Sequence, residues 1–156
     1  MEQFKQGPWV WGQIQKKLKQ STPEVQASDK RFLFLLRGNL GLGKTAFVKS
    51  FLQDRGLDSQ QVQSPTFLKM LEYEIPEWGV GIHLDCYQLE SVKALEKLGL
   101  EERIMESDVK IVFVEWPDQF LEYVKSHSPL LKNFLDSFVK VEIVWKDLGV
   151  FSVQIH

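Results

Sequence analysis

The amino-acid sequence predicts an α/β fold, in which helices cover both faces of a mostly parallel sheet to form a three-layer sandwich. Two unbroken apolar runs, residues 32–36 and 111–114, have the composition of strands that are buried on both faces. A glycine-rich loop follows the first run and leads into residues 46–55, where apolar side chains recur at helical spacing. Residues 67–85 and 139–155 each alternate around a turn, which is typical of antiparallel hairpins added to the parallel pattern.

Three further segments are predicted to be helical. Residues 9–19 place apolar side chains on one side and lysines on the other, which indicates an amphipathic helix packed against the body of the protein. A short helix is expected after a Ser91 cap, and another over residues 120–124. Trp9 and Trp11 are interpreted as core residues, and shelter for a nucleotide base is the alternative.

The composition is that of an ordinary globular protein. Its 156 residues are 44% hydrophobic, and no repeat or linker divides them, so residues 1–156 are predicted to form a single domain around the glycine-rich loop. A net charge of −2 argues against bulk electrostatic binding of nucleic acid, although it does not exclude action on RNA within a complex. The single cysteine, Cys86, suits a reducing compartment, and no apolar run has the length of a signal-peptide core or a membrane span. We therefore expect a cytoplasmic protein with no membrane partner.

Residues 38–45 read G-N-L-G-L-G-K-T and match G-x-x-x-x-G-K-[ST], the phosphate-binding loop (P-loop) of nucleotide-hydrolysing proteins. Glycines let successive backbone N–H groups curl around phosphate oxygens, and the helix that follows adds the positive end of its dipole. We expect Lys44 to reach the terminal phosphates and the Thr45 hydroxyl to bind Mg²⁺. An ordinary glycine-rich turn is the alternative, but the preceding strand and the following helix favour a nucleotide site in a P-loop NTPase-like fold. The predicted nucleotide-binding residues are Asn39, Leu40, Gly41, Leu42, Gly43, Lys44 and Thr45.

Two acidic residues end predicted strands, Asp85 after residues 82–84 and Glu115 after the second apolar run. Ligands of open α/β sheets lie at the carboxyl ends of the strands, where a P-loop enzyme needs one acid to organise Mg²⁺ and often another group to position water. Either acid could fill the metal role, and the alternative is a polar strand end that faces solvent. His83 has no partner visible in the sequence and is interpreted as a packed strand residue, and Ser64-Pro65-Thr66 taken alone is an ordinary bend.

Taken together, these motifs resemble the TsaE family (YjeE-like proteins), the small ATPases of bacterial tRNA threonylcarbamoyladenosine biosynthesis. The resemblance covers roughly residues 32–118 and rests on an ordered set of segments, which is far more specific than the P-loop alone. The segments are the P-loop itself, Ser64-Pro65-Thr66-Phe67, His83-Leu84-Asp85-Cys86-Tyr87, Leu98-Gly99-Leu100-Glu101-Glu102 and Val114-Glu115-Trp116-Pro117.

The resemblance implies a cytoplasmic, Mg²⁺-dependent ATPase that is weakly active alone and works with the TsaB and TsaD proteins. Their complex places a threonylcarbamoyl group on adenosine 37 of tRNAs that read codons beginning with A, so this chain would meet tRNA only through the complex. By the family pattern, the loop and Lys44 bind the phosphates of ATP, and Thr45 and Glu115 hold Mg²⁺. Asp85 matches an acid near the γ-phosphate or its water, which adds it to the predicted nucleotide-binding residues, and Thr66 lies in a switch-like loop. The catalytic residues that the resemblance implies are Lys44, Thr66, Asp85 and Glu115.

Two positions depart from the family pattern, and two other functions stay open. Gln88 stands where the family usually has arginine, and Ala46 where it usually has a second hydroxyl residue. A guanidinium is a fixed charged fork that glutamine cannot replace, so ATP turnover or partner docking is in question. One alternative is a small P-loop kinase of a nucleoside or metabolite, which the scarcity of arginines disfavours. The other is a non-catalytic subunit whose ATP-bound form signals assembly.

Overall fold

The computed structural model describes residues 6–21, 30–58, 60–62 and 70–156. Within these residues, helices and strands mostly alternate along the first two thirds of the chain, and a strand pair closes it. In chain order the elements are α1 (Gln6–Ser21), β1 (Phe32–Arg37), α2 (Lys44–Asp54), β2 (Met70–Ile75), β3 (Gly79–Asp85), α3 (Lys93–Lys97), α4 (Leu100–Ile104), β4 (Val109–Glu115), α5 (Asp118–His127), α6 (Pro129–Leu135), β5 (Val139–Asp147) and β6 (Val150–Ile155).

The strands of the described residues form one sheet in the order β2-β3-β4-β1-β5-β6. The four inner strands are parallel, since β1 pairs with β4 and β5, and β4 pairs with β3. At one edge β2 runs antiparallel to β3, and at the other β6 runs antiparallel to β5. The prediction of a mostly parallel sheet with antiparallel hairpins is therefore confirmed.

Helices cover both faces of this sheet and complete three layers. Phe32, Phe34 and Leu36 of β1 pack in a core with side chains of α1 and α2. Leu33 and Leu35 pack in a second core, which receives side chains from α3, α4, α5 and α6. Neighbouring residues of a strand face opposite sides of the sheet, so a strand between two cores has to be apolar at every position. The predicted three-layer α/β sandwich is confirmed.

Helices α1 and α2 approach each other closely because a glycine lies where they meet. The backbone N–H of Gly7 donates a hydrogen bond to Ser50 Oγ at 2.8 Å. A Cβ atom added to Gly7 would lie 2.3 Å from the backbone nitrogen of Phe51. Backbone atoms of a packed helix cannot turn aside as a flexible side chain can, so this helix separation requires glycine.

Gly7→Ala is expected to push α1 away from α2 and to lower the free energy of unfolding by about 1–3 kcal/mol, the usual cost of overpacking. Gly12→Ala is the matched control, because Gly12 lies in the same helix and an added Cβ would meet nothing within 4 Å. We expect this control to stabilise the protein by about 0.5–1 kcal/mol, since alanine is the better helix former. Urea denaturation measures both values, and equal effects of the two substitutions would contradict the close approach.

The helices on the second face differ from the prediction in three respects. Ser91 does not cap α3, whose N-terminal cap is Val92 without a side-chain hydrogen bond. Helix α4 is absent from the sequence prediction; it is only five residues long and follows Gly99, whose φ of 65° breaks the chain away from α3. Helix α6 is also absent from it, although Ser128 caps its first turn and Pro129 occupies the favoured first position.

The two tryptophans of α1 occupy different environments. Trp11 is 6% exposed and meets the rings of Phe32 and Phe51, so the core interpretation is confirmed for this residue. Trp9 is 53% exposed and touches the ring of Phe151 in β6, so the core interpretation is wrong for it. A helix of this amphipathic kind leaves the side chains next to its polar face partly open to solvent.

Two predicted segments lie wholly or partly outside the residues that the structure describes. The bend Ser64-Pro65-Thr66 and the start of the strand predicted from Phe67 lie outside them, and β2 is described from Met70 onward.

In the ranges that the structure does describe, none of the helices combines the length and the apolar character needed to cross a bilayer.

Candidate functional site

The glycine-rich loop at residues 38–43 joins β1 to α2 and packs on a tryptophan of β5. Gly38, Gly41 and Gly43 have positive φ angles of 148°, 77° and 127°. A Cβ atom on Gly38 would lie 2.9 Å from Cβ of Trp145, and one on Gly43 would lie 3.2 Å from Trp145 Nε1. Both the backbone conformation and the close approach of Trp145 therefore require glycine in this loop.

The N-terminus of α2 opens into a cleft beside this loop. The cleft has a volume of about 490 Å³, and its lining includes Gly43 and the first residues of the helix. Gly43 is the N-terminal cap of α2 and provides no side-chain hydrogen bond to the first turn. The first backbone N–H groups of a helix lack partners within it and carry the positive end of the helix dipole. This end of α2 is therefore suited to an anionic ligand.

The ammonium group of Lys44 is folded back onto the loop. Its Nζ donates hydrogen bonds to the carbonyl oxygen of Gly38 and, at 2.9 Å, to that of Asn39. It also lies 4.5 Å from the ring centroid of Trp116, which is a cation–π distance. Burial lowers the pKa of Lys44, and the negative charges of Glu115 and Asp85 partly oppose this shift. A largely buried cation is thus held at the mouth of the loop.

Glu115 joins three elements of the site. It ends β4 and is 4% exposed. Thr45 Oγ1, in the first turn of α2, lies 3.0 Å from Glu115 Oε1 and 3.2 Å from Oε2. Nε2 of His83, in β3, lies 2.6 Å from Oε2. The carboxylate is therefore held beside the hydroxyl that was predicted to share a metal ion with it.

Asp85 lies beside Glu115 because β3 and β4 are parallel neighbours whose register pairs these two residues. It is buried, and its Oδ1 accepts a hydrogen bond from the backbone nitrogen of Tyr87 at 2.8 Å. The backbone nitrogen of Cys86, a buried residue, donates to the carbonyl oxygen of Glu115 at 3.0 Å and ties the two strand ends together. Both acids thus line the cleft and are not solvent-facing strand ends.

Most of the predicted site residues come together around the cleft. Those that line it are Leu40, Gly41, Gly43, Lys44, Thr45, Asp85 and Glu115. Asn39 instead contributes its backbone carbonyl to Lys44, and Leu42 packs against the core beside α1 and α2. Thr66 lies outside the described residues, so its catalytic role stays a prediction.

His83 is a packed strand residue, as predicted, but it has a partner that the sequence did not reveal. Its side chain is fully buried, as a packed residue would be, but it contacts the carboxylate of Glu115. The spacing His83-x-Asp85 was the available signal, because alternate residues of a strand lie on the same face of a sheet. Sequence reasoning also did not place Tyr87 and Trp116 in the cleft wall, where their ring centroids lie 4.9 Å apart.

The donor atoms of the cleft fit a Mg²⁺ ion that is bound together with phosphates. Thr45 and Glu115 offer a hydroxyl and a carboxylate side by side, and both are hard oxygen donors. In the described ranges, no three His, Cys, Asp or Glu side chains are grouped so as to hold a metal ion by themselves. Mg²⁺ at nucleotide sites usually takes one or two protein ligands and completes its shell with phosphates and water.

Comparison with known proteins decides the family. The family model described as "Threonylcarbamoyl adenosine biosynthesis protein TsaE" matches residues 12–143. The chain belongs to the TsaE family. The resemblance predicted from the motifs is thereby confirmed, and the match extends beyond the motifs at both ends.

Curated members of the TsaE family are similar to this chain over part of their length. Proteins named "tRNA threonylcarbamoyladenosine biosynthesis protein TsaE" include one from Bacillus subtilis, 38% identical over 84 residues, which are 52% of this chain and 48% of that protein. The Borreliella burgdorferi protein is 32% identical over 59% of this chain and 64% of its own length. The Rickettsia bellii protein is 31% identical over 55% of this chain and 57% of its own length. The match thus spans about half to two thirds of these relatives.

A crystal structure of YdiB from Bacillus subtilis is also similar to this chain. The alignment covers 81% of this chain and 67% of the YdiB chain, at 21% sequence identity and a TM-score of 0.47.

Proposed function

We propose that this chain is a Mg²⁺-dependent, ATP-binding and weakly ATP-hydrolysing subunit required for the threonylcarbamoyladenosine modification of tRNA. In this proposal it acts in the cytoplasm with TsaD and TsaB homologues on adenosine 37 of tRNAs that read codons beginning with A. It meets tRNA only through that complex. Membership of the TsaE family supports the pathway.

One observation carries the ATPase part of the proposal. Thr45 Oγ1 lies 3.0 Å from Glu115 Oε1 at the N-terminus of α2. This contact puts two oxygen donors for Mg²⁺ directly beside a glycine-rich loop, a helix N-terminus and Lys44, which together suit a triphosphate. A glycine-rich turn with no ligand would not need these groups to converge.

The glycine-rich loop and the polar side chains of the cleft each have a defined part in this proposed function. The loop N–H groups and the N-terminus of α2 bind phosphate oxygens. Lys44 exchanges its loop carbonyls for the terminal phosphates, because a charge-assisted hydrogen bond to an anion is stronger than one to a neutral carbonyl. Thr45 and Glu115 hold Mg²⁺, which neutralises charge on the phosphate oxygens when it is bound. Asp85 orients the attacking water near the γ-phosphate.

The cleft carries too little positive charge for a self-sufficient phosphoryl-transfer enzyme. Among the described residues that line it, Lys44 is the one cation. Arg37, at the start of the loop, is paired with Asp118 at an N–O distance of 2.5 Å. Related enzymes stabilise the transition state with an arginine supplied by the same chain or by a partner. The charge balance supports an ATPase completed by a partner over a kinase that works alone.

The rate of ATP hydrolysis tests the proposal. It is measured for the isolated chain and for the chain mixed with TsaB and TsaD homologues of the same organism. We expect slow Mg²⁺-dependent hydrolysis alone and a higher rate with both partners. ATP binding without any stimulation would instead favour a nucleotide-sensing subunit. Phosphorylated product in a coupled assay on nucleosides would favour a kinase and contradict the proposal.

Glu115→Ala is expected to lower Mg²⁺-dependent ATP turnover by at least about 10–100-fold. Removal of a group that only orients a metal ligand already causes a loss of this size, and Glu115 is proposed to be a ligand itself. The rate is measured as a function of Mg²⁺ concentration. Glu74→Ala, which removes an exposed glutamate of β2, is the control and should retain the wild-type rate. A wild-type rate for Glu115→Ala would remove Glu115 from the metal shell.

A further inference from the structure

His83 is a fully buried polar residue next to the carboxylate of Glu115. It lies in β3 two residues before Asp85, so both side chains lie on the same face of the sheet. Its side chain is 0% exposed, and its ring is edge-on to that of Phe113, with centroids 6.3 Å apart. The imidazole thus lies between the apolar core around α2 and the polar end of the sheet.

Two side chains, those of Thr45 and His83, contact the carboxylate of Glu115. Thr45 Oγ1 lies within hydrogen-bond distance of both oxygens, at 3.0 Å and 3.2 Å. His83 contacts Oε2 alone, at 2.6 Å. The Thr45 contact by itself would leave the carboxylate able to rotate, because a single donor placed between two equivalent oxygens does not distinguish them. The His83 contact removes this freedom.

We propose that His83 is a positioning residue, whose Nε2–H holds Oε2 of Glu115 so that the carboxylate stays beside the Thr45 hydroxyl in the orientation that binds Mg²⁺. This inference rests on the proposed Mg-ATP function and names a residue on which Mg²⁺ binding by Thr45 and Glu115 depends. His83 acts through Glu115 and does not itself contact the nucleotide or the metal.

The hydrogen-bond partners of His83 determine which ring nitrogen carries the hydrogen. A carboxylate oxygen accepts and does not donate, so Nε2 is the donor in the contact with Glu115. Nδ1 is buried and has no hydrogen-bond partner in the described part of the chain. A bare Nδ1 leaves only a lone pair unpaired, whereas an Nδ1–H would be a buried donor with no acceptor. The surroundings therefore select the tautomer that points its hydrogen at Glu115.

A role in packing alone does not explain an imidazole at this position. An apolar side chain of similar size would fill the same space beside Phe113 without the cost of burying a polar ring with an unpaired nitrogen. The contact with Glu115 offsets that cost, because a hydrogen bond to a carboxylate is charge-assisted. Groups that orient a metal ligand in this manner commonly change metal affinity or activity by about 10–100-fold when they are removed.

Three substitutions separate the hydrogen bond from the packing. His83→Gln keeps a donor that reaches about as far as Nε2, His83→Asn shortens the side chain so that its amide cannot reach Glu115, and His83→Leu removes the donor at similar size. The affinity of each variant for a non-hydrolysable ATP analogue is measured by calorimetry, once with Mg²⁺ and once with EDTA. The readout is the gain in affinity that Mg²⁺ provides, and thermal unfolding checks that each variant is folded.

We expect the Mg²⁺-dependent gain to fall by about tenfold or more in His83→Leu and His83→Asn, while the affinity in EDTA stays within about twofold of wild type. His83→Gln should retain most of the gain. If His83→Leu does not fold, the comparison of His83→Gln with His83→Asn decides. A full gain in His83→Asn, or an equal loss in the Gln and Asn variants, would overturn the positioning role.

The wild-type measurement separates this inference from the function on which it rests. Analogue binding that Mg²⁺ strengthens in the wild type, together with variants that keep the full gain, would overturn only the role of His83. Failure of the wild-type chain to bind the analogue at all would overturn the proposed function and the inference with it.

Discussion

Lys44→Ala is expected to weaken ATP binding by about 100-fold or more, because one charge-assisted hydrogen bond contributes about 1.5–3 kcal/mol and this lysine would meet more than one phosphate oxygen in the proposed site. Nζ of Lys44 is held at the loop by two carbonyl oxygens and the ring of Trp116, so the charge is in place before a ligand arrives. In the proposed site Lys44 would meet the phosphate oxygens of ATP, and isothermal titration calorimetry with ATP and Mg²⁺ measures the loss. Lys49→Ala, on the same helix and outside the cleft lining, is the control. Unchanged ATP affinity in Lys44→Ala would refute the site.

The loss of affinity in Lys44→Ala is not expected to arise from unfolding. Burial lowers the pKa of Lys44 in the folded protein, although the charges of Glu115 and Asp85 oppose the shift. A lysine with a lowered pKa holds its proton less tightly in the folded state than in the unfolded chain, so its charged form opposes folding at neutral pH. This opposition diminishes as the pH rises through the folded-state pKa. Alanine removes it, and we expect thermal unfolding of the variant close to that of wild type.

Phe51→Ala is expected to lower the free energy of unfolding by about 3–5 kcal/mol, the usual cost of deleting a buried aromatic ring. Phe51 is 1% exposed and lies on the face of α2 that meets α1 and the sheet. The rings in contact with it are Trp11, Phe34, Phe47, Trp78 and Phe113. They come from α1, β1, α2, the β2–β3 turn and β4, so one deletion leaves a cavity at the junction of several elements.

Urea denaturation of Phe51→Ala and of Phe51→Leu measures this effect. The leucine variant retains most of the apolar volume and should lose less than about 1.5 kcal/mol if the site repacks. Both variants should keep the denaturant dependence of wild type, since the unfolding transition exposes nearly the same surface. A loss below about 1 kcal/mol for Phe51→Ala would show that the aromatic cluster is not the centre of this core.

The parts of the fold that follow from local patterns were predictable. A strand covered on both faces has to be apolar throughout, which is why the runs at residues 32–36 and 111–114 identified β1 and β4. The glycines of the loop identified the turn between β1 and α2. Asp85 and Glu115 were recognised because each follows an apolar strand, and the register of β3 with β4 places them side by side.

The parts that depend on distant contacts were not predictable from local patterns. The contact between His83 and Glu115 joins residues 32 positions apart on neighbouring strands. Trp145 restricts the loop glycines from β5, the strand next to β1, and lies more than a hundred positions later in the chain. Short helices such as α4 bury few side chains of their own, so tertiary packing decides whether they form.

The central claim is that Lys44, Thr45 and Glu115 form one Mg-ATP site at the N-terminus of α2. A crystal structure of the chain with a non-hydrolysable ATP analogue and Mg²⁺ tests this claim most directly. We predict that the triphosphate lies along the loop within hydrogen-bond distance of Lys44 Nζ, and that Mg²⁺ contacts Thr45 Oγ1 and lies next to Glu115. A triphosphate bound elsewhere on the chain, or a metal ion that contacts neither Thr45 nor Glu115, would contradict it.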